Sequence, residues 1–207
     1  MSQSSSSGYL QSLFGLSGKT AVVIGGTGVL GGAIAETLAQ AGAHVVIVGR
    51  NAENGAGRVK MIEELEGTAE FFKADSTSRE DLEALVAHLK SNDRTTDILV
   101  NGAGINAATP FLEISDEEWE SIFRVNLLSV KVACQVFGQS MLDNNVAGSI
   151  INIASMSAIT PLSRVFTYSA SKAAVLNLTQ NLAREWAERN IRVNALAPGF
   201  FPAEQIF

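Results

Sequence analysis

Tyr168 and Lys172 are four residues apart at the start of a segment with helical periodicity. On a helix, residues at this spacing lie on one face, so the lysine ammonium would sit beside the tyrosine phenol. A nearby cation favours the phenolate and lowers a tyrosine pKa that starts at about 10. The pair is therefore a candidate proton-transfer centre, although taken alone such a pair is better interpreted as an exposed pair on a helix surface.

Ser155 and Asn126 are two further polar residues in positions where chemistry is plausible. Ser155 ends the apolar run GSIINIAS, and Tyr168 follows after a loop-length segment. Its hydroxyl would then orient and polarise a substrate carbonyl beside the tyrosine. The structural alternative is an ordinary turn serine. Asn126 lies on the apolar stripe of a predicted helix, where it is either functional or a core asparagine with hydrogen-bond partners.

A glycine-rich segment follows the first apolar run and precedes a helical one. Its pattern G-x-G-x-x-G permits a tight turn, close approach of a pyrophosphate and close packing of helix on strand. Amides at the helix start hold phosphate without a basic residue. We predict dinucleotide binding over a purely structural turn, with contacts from Gly25, Gly26, Thr27, Gly28, Val29, Leu30 and Gly31.

Arg50 occupies the region about 20 residues beyond the glycines, where a carboxylate would bind the ribose 2′-hydroxyl of NAD. The chain has Gly49-Arg50 there and no acid. An arginine pairs with a 2′-phosphate. The sequence therefore favours NADP over NAD as cofactor, with a solvated loop arginine as the alternative.

Apolar runs typical of buried strands alternate with longer helical segments, which predicts a parallel sheet with helices on both faces. The fold class is α/β, a Rossmann-like doubly wound sheet in one domain, residues 18–207, after a flexible leader, residues 1–17. The predicted strands are Thr20–Ile24, His44–Gly49, Ala69–Ala74, Asp97–Asn101, Ser149–Ile153 and Ile191–Leu196. The predicted helices are Gly31–Ala41, Ala52–Leu65, Ser78–Ser91, Ser115–Asn144 and Tyr168–Glu188.

The charge and cysteine content exclude several classes of function. A net charge of −6 and a pI near 5.0 provide no basic field, so nucleic acid is not an expected partner. Cys134 is the only cysteine, which suits a reducing cytoplasm. With only His44 and His88 besides it, we predict no metal site. No apolar run is long enough for a bilayer, and we expect a soluble cytoplasmic protein.

Five motifs occur in the order found in the short-chain dehydrogenase/reductase family, which the chain resembles from about Lys19 to Gly199. They are ILVNGAG, the helix around Asn126, INIAS, Tyr-x-x-x-Lys and IRVNALAPG. The resemblance implies that Tyr168 exchanges a proton with the substrate oxygen during hydride transfer. It also implies that Lys172 binds the nicotinamide ribose, Ser155 binds the carbonyl or hydroxyl, and Asn126 keeps a water in a proton relay through Lys172.

The same resemblance implies further cofactor contacts and an incomplete C-terminus. The contacts come from Asp75 beside the adenine, from Asn101, Ala103 and Gly104 along the adenosine, and from Pro198 and Gly199 beside the nicotinamide. Family members continue through a substrate-covering helix and a seventh strand. We therefore expect this chain to lack the last strand and the lid, and the full-length form to be a homo-oligomer.

The expected substrate is a small carbonyl compound or the matching alcohol. The runs GGTGVLGGAIA, SMSAITPLSR and APGFFPAEQ resemble family members that act on sugar acids, such as fructuronate or mannonate, which favours a sugar acid or polyol. Arg164 would then meet a substrate carboxylate, and a solvated loop arginine is an alternative with at least equal support. Three alternatives stay open: a 3-oxoacyl or simple keto reductase, a non-catalytic nucleotide-binding sensor or truncation product, and an epimerase or dehydratase of the extended branch.

Overall fold

A single sheet of six parallel strands organises the protein, which is described by a computed structural model over residues 6–200. The strands are β1 (Thr20–Ile24), β2 (His44–Gly49), β3 (Thr68–Lys73), β4 (Ile98–Asn101), β5 (Ser149–Ile153) and β6 (Arg192–Leu196). Their order is β3-β2-β1-β4-β5-β6. The chain order reverses between β1 and β4, and a crevice at this point is where doubly wound folds bind ligands. The predicted fold class is confirmed.

Seven α-helices are seen in the described residues, and all but the first connect or follow the strands. They are α1 (Ser6–Phe14), α2 (Val29–Gln40), α3 (Ala52–Glu64), α4 (Arg79–Ser91), α5 (Asp116–Phe123), α6 (Ser129–Asp143) and α7 (Phe166–Trp186). A π-helical turn, Arg124–Leu128, joins α5 to α6, and short 3-10 helices cover Phe111–Glu113, Met156–Ala158 and Ala187–Arg189. No helix in the described part of the chain is long and apolar enough to cross a membrane.

Strands β1 and β4 are buried along their whole length, because helices cover both faces of the sheet. Successive residues of β1 alternate between two cores. Val22 and Ile24 face the core with α4, α6 and α7, whereas Ala21 and Val23 face the core with α2 and α3. This packing fixes the carboxyl ends of the strands, and the loops that follow them carry the site.

Two predictions about helices differ from the structure. The segment predicted as a flexible leader contains α1 (Ser6–Phe14), a helix that was not predicted, and residues 1–5 lie outside the described part. The predicted single helix Ser115–Asn144 starts as expected, with the Ser115 hydroxyl accepting from the Glu118 amide at 3.1 Å. It is interrupted by the π-helical turn, which contains Asn126.

Candidate active site

A cavity of about 660 Å³ lies at the carboxyl ends of β1, β4, β5 and β6. Among the residues predicted for the site, it brings together Leu30, Gly104, Ser155, Tyr168, Lys172, Pro198 and Gly199. The parallel sheet explains this convergence, because carboxyl ends of parallel strands meet at one edge. Residues far apart in the sequence therefore share one cavity.

Lys172 is the charged group at the base of this cavity. Its side chain is buried, with 3% of the residue exposed, and its Nζ donates to the Ile153 carbonyl oxygen at 2.7 Å. The same Nζ lies 5.7 Å from the centroid of the Tyr168 ring. Burial lowers the pKa of Lys172 to about 8, because a desolvated ammonium is unfavourable. The helical spacing therefore places the two side chains as predicted.

Tyr168 is half-buried, and burial raises the pKa of its phenol above the ordinary value. A hydrogen bond with Ser155 acts in the opposite direction but does not outweigh burial. The expectation of a lowered pKa for Tyr168 is wrong here, because burial outweighs the contribution that favours the phenolate. The sequence argument placed the cation correctly but left out the desolvation of the phenol, which only tertiary packing sets.

Ser155 lies between β5 and the 3-10 helix Met156–Ala158, for which it is the N-cap. Its hydroxyl oxygen accepts from the Ser157 amide at 3.2 Å and lies 3.1 Å from the Ser157 hydroxyl. Ser157 was not predicted from sequence. Nothing in the spacing of the two serines shows that the chain turns tightly enough to bring them together.

Asn126 is fully buried, and all of its polar side-chain atoms have partners. Its Oδ1 accepts from the Ile105 amide at 2.8 Å, and its Nδ2 donates to the Ile105 carbonyl at 3.0 Å and to Ser171 Oγ at 3.0 Å. Asn126 thus ties the loop after β4 to Ser171 of α7. Ser171 lies about one helical turn from Tyr168 and directly precedes Lys172 in the chain. π-Helical turns are rare in proteins, but those that occur often lie at functional sites.

The glycine turn connects β1 to α2 and is closed by backbone contacts. Gly25 has φ +79°, and a Cβ on it would lie 2.7 Å from the Gly102 carbonyl carbon. A Cβ on Gly31 would lie 2.3 Å from the Gly25 carbonyl oxygen. Both positions therefore require glycine.

Gly28 is the N-cap of α2 and has no side chain to bond the amides of the first turn. Those amides and the positive end of the helix dipole suit an anionic group, such as the pyrophosphate of a dinucleotide. The predicted cofactor residues Gly26, Thr27 and Val29 belong to the same turn. The turn therefore fits the predicted cofactor.

Arg50 and Asp75 lie close to one another after β2 and β3. Arg50 is exposed. The pKa of Asp75 is lowered because the Thr77 amide and hydroxyl donate to its Oδ1, both at 2.8 Å, and because Arg50 and Arg124 are near. An exposed arginine at this edge suits a phosphate, while Asp75 also stabilises its own loop.

Asn101, Ala103 and Arg164 are among the sequence-predicted residues that do not line the cavity. Asn101 is buried and donates to Asn152 Oδ1 at 2.8 Å, which joins β4 to β5. Ala103 packs against the hydrophobic core. Arg164 is exposed, has φ +60° and is not among the residues that line the cavity. The arrangement thus favours a structural role for Asn101, and it offers no direct support for Arg164 as a carboxylate ligand.

Comparison with known proteins agrees with this geometry. A family model described as short chain dehydrogenase matches residues 19–205. The 3beta-hydroxysteroid dehydrogenase 1 of Eggerthella lenta is 42% identical, covering 89% of this chain and 71% of its own. The 2-dehydro-3-deoxy-D-gluconate 5-dehydrogenase of Bacillus subtilis is 40% identical over 93% of this chain and 75% of that protein. A 3-oxoacyl (acyl-carrier-protein) reductase structure from Agrobacterium tumefaciens C58, with NADP bound, has a TM-score of 0.88 at 32% identity, covering 97% and 77%.

Proposed function

This chain belongs to the short-chain dehydrogenase family, and on that basis we propose that it is an NADP-dependent oxidoreductase acting on a carbonyl or the matching secondary alcohol. The observation that carries the proposal is the convergence of Ser155, Tyr168 and Lys172 in one cavity beside the glycine turn. A phenol can donate a proton to a carbonyl oxygen, a hydroxyl can polarise that carbonyl, and a buried ammonium can stabilise the phenolate that remains.

Tyr168 is the proposed general acid in the direction of reduction. Because burial raises its pKa, the phenol keeps its proton until the substrate oxygen develops negative charge. Ser155 donates a hydrogen bond to the same oxygen and holds it against the phenol. Lys172 stabilises the phenolate that remains, and in the direction of oxidation the phenolate takes the proton back.

Asn126 is proposed to keep this arrangement in place through its contacts with Ile105 and Ser171. Because its partner Ser171 directly precedes Lys172 in the chain, Asn126 is also the candidate to retain a water in a proton relay. The catalytic set proposed here is Asn126, Ser155, Tyr168 and Lys172.

The nicotinamide cofactor supplies or accepts the hydride when it is bound. The residues that would hold its pyrophosphate are Gly25 to Gly31, and Arg50 would hold a 2′-phosphate. Asp75 and the segment from Asn101 to Gly104 would border the adenosine. Pro198 and Gly199 would border the nicotinamide, together with Tyr168 and Lys172.

The proposed substrate is a sugar acid or a polyol. The gluconate-type relative of Bacillus subtilis supports the sugar acid, and the cavity lining bears on the choice between the two. The side-chain amide of Asn106 and the hydroxyl of Thr160 line the cavity and suit sugar hydroxyls. Among the cavity-lining residues in the described part of the chain, Lys172 alone carries a positive charge, and it is engaged with Ile153. We therefore rank a neutral polyol or keto sugar above a sugar acid, because the carboxylate of a sugar acid would need a cation of its own.

A 3-oxoacyl or simple keto compound is the second candidate. The cavity wall also contains Ile105, Met156, Leu162, Val165 and Phe200, which suit an apolar substrate chain. The relative from Agrobacterium, named a 3-oxoacyl reductase, supports the same class.

A turnover assay tests the proposal and separates these candidates. NADPH oxidation is followed by absorbance with three sets of compounds: keto sugars, keto sugar acids and 3-oxoacyl thioesters. The largest kcat/KM is expected for a keto sugar. Complete inactivity of the folded protein with every set, in both directions, would favour a nucleotide-binding sensor instead. The cytoplasmic location and the homo-oligomer stay predictions.

A further inference from the structure

Ser157 contacts Ser155 through two separate donors. It lies in the 3-10 helix Met156–Ala158 and is buried, with 5% exposed. Its amide donates to Ser155 Oγ at 3.2 Å, and the two hydroxyl oxygens are 3.1 Å apart. Both contacts reach the one oxygen that the proposed reaction uses.

The hydrogen-bonding capacity of a hydroxyl makes this arrangement directional. A serine hydroxyl has one proton and two lone pairs. The Ser157 amide always donates, so it occupies one lone pair of Ser155. If the Ser157 hydroxyl donates to the second, the Ser155 proton has no acceptor on this side and turns towards Tyr168 and the cavity.

We propose that Ser157 is a positioning residue, which holds the Ser155 hydroxyl with its proton directed at the substrate oxygen. The inference rests on the proposed function of the same site. It goes beyond that function, because it assigns the orientation of Ser155 to a side chain two residues along the chain. Ser157 itself does not touch the reacting atoms.

The amide bond and the hydroxyl bond can be separated by substitution. Ser157→Ala removes one oxygen atom and keeps the amide donor, so only the second contact is lost. Ser157→Cys replaces the hydroxyl by a weak donor, and Ser157→Thr keeps a hydroxyl on the same carbon. Ser163→Ala is the matched control, because Ser163 is an exposed serine of the same loop outside the cavity wall.

The experiment measures kcat, KM, NADPH affinity and the pH dependence of alcohol oxidation for these variants. Ser157→Ala and Ser157→Cys should lower kcat roughly three- to tenfold, the range of one neutral hydrogen bond. KM and NADPH affinity should stay within twofold of the wild type. The acidic limb of the profile should move up by about half a pH unit, because Ser155 stabilises the phenolate less well. Ser157→Thr should have the kcat of the wild type and the same position of the acidic limb of the pH profile.

Three results would overturn the inference while leaving the proposed function intact. The first is wild-type kcat and pH profile in Ser157→Ala. The second is a loss of kcat accompanied by a loss of NADPH affinity and a lower Tm, which indicates general damage to the loop. The third is Ser157→Thr behaving like Ser157→Ala. If instead the wild-type protein turns over no substrate in either direction, the proposed function fails, and the inference fails with it.

Discussion

The glycine turn and the catalytic cluster lie at the same edge of the sheet but are built in opposite ways. The turn after β1 depends on absent side chains, since a Cβ on Gly25 or Gly31 would collide with backbone atoms. The cluster depends on polar side chains that are present and buried, among them Asn126 and Lys172. One region is fixed by backbone geometry, and the other by hydrogen bonds between elements.

This difference implies that the two regions fail in different ways. A substitution in the turn must move the backbone, so it should change stability and cofactor affinity together. A substitution in the cluster can leave the backbone unchanged and remove only a proton or a charge. Each prediction below asks whether the two kinds of effect can be separated.

Tyr168→Phe should give the largest effect. The ring keeps its packing but loses the exchangeable proton, so kcat should fall by roughly 10²- to 10⁴-fold, the usual contribution of a general acid. NADPH affinity, measured by fluorescence titration, should change less than twofold. A variant with retained turnover would remove Tyr168 from the proposed mechanism. A large loss of NADPH affinity would contradict the separation of the catalytic cluster from the glycine turn.

Gly31→Ala should do the reverse and damage binding and stability together. The added Cβ lies 2.3 Å from the Gly25 carbonyl oxygen, so the turn must shift, at a cost of up to roughly 3 kcal/mol in the free energy of unfolding. NADPH affinity should fall at least tenfold. Gly28→Ala is the matched control for stability, because its Cβ meets the same oxygen at an ordinary 3.5 Å. Equal urea midpoints for both variants would contradict the backbone account.

Lys172→Met tests the cost of burying a charge in the cluster. The pKa of Lys172 is about 8 in the folded protein, and its ordinary value of 10.5 applies in the unfolded chain. As pH rises, the folded protein therefore loses this proton first. Below pH 8 both states are charged and the folded state bears the full cost, so wild-type stability should rise between pH 8 and 10.5. By urea denaturation, the wild type should gain roughly 2 kcal/mol more than Lys172→Met between about pH 7.5 and 9.5. Parallel curves would show that Lys172 is not strongly desolvated.

Arg50→Ala should give the smallest effect, because this side chain is exposed and lies at the rim of the cofactor region. Loss of one charged partner should raise the Kd for NADPH about tenfold and leave the Kd for NADH unchanged. Isothermal titration with both cofactors measures the ratio. An equal change for the two cofactors would mean that Arg50 does not recognise a 2′-phosphate.

The glycine turn could be predicted almost completely from the sequence, because its constraints are local. A strand, three glycines and a helix follow one another, and no distant residue is needed to interpret them. Tyr168 and Lys172 were also accessible, since helical spacing alone puts them on one face. The strand positions followed from buried apolar runs, with shifts of one residue at β3, β4 and β6.

The remaining features depend on tertiary packing that spacing does not encode. The raised pKa of Tyr168 comes from burial, and the sequence argument counted only the nearby lysine. Ser157 reaches Ser155 only because the loop forms a 3-10 turn. α1 was missed because its serine-rich start resembles a flexible leader, and the π-helical turn was missed because an apolar stripe does not reveal a change of helical hydrogen bonding.

The π-helical turn also predicts where this chain tolerates a change of length. It accommodates one residue more than an α-helical turn would between α5 and α6. Deleting one residue other than Asn126 from Arg124–Leu128 would therefore restore α-helical hydrogen bonds and leave α6 facing the same way. The buried residues Val130, Phe137 and Met141 would then stay in the core. A one-residue deletion within α6 itself would instead rotate the residues that follow it by about 100°.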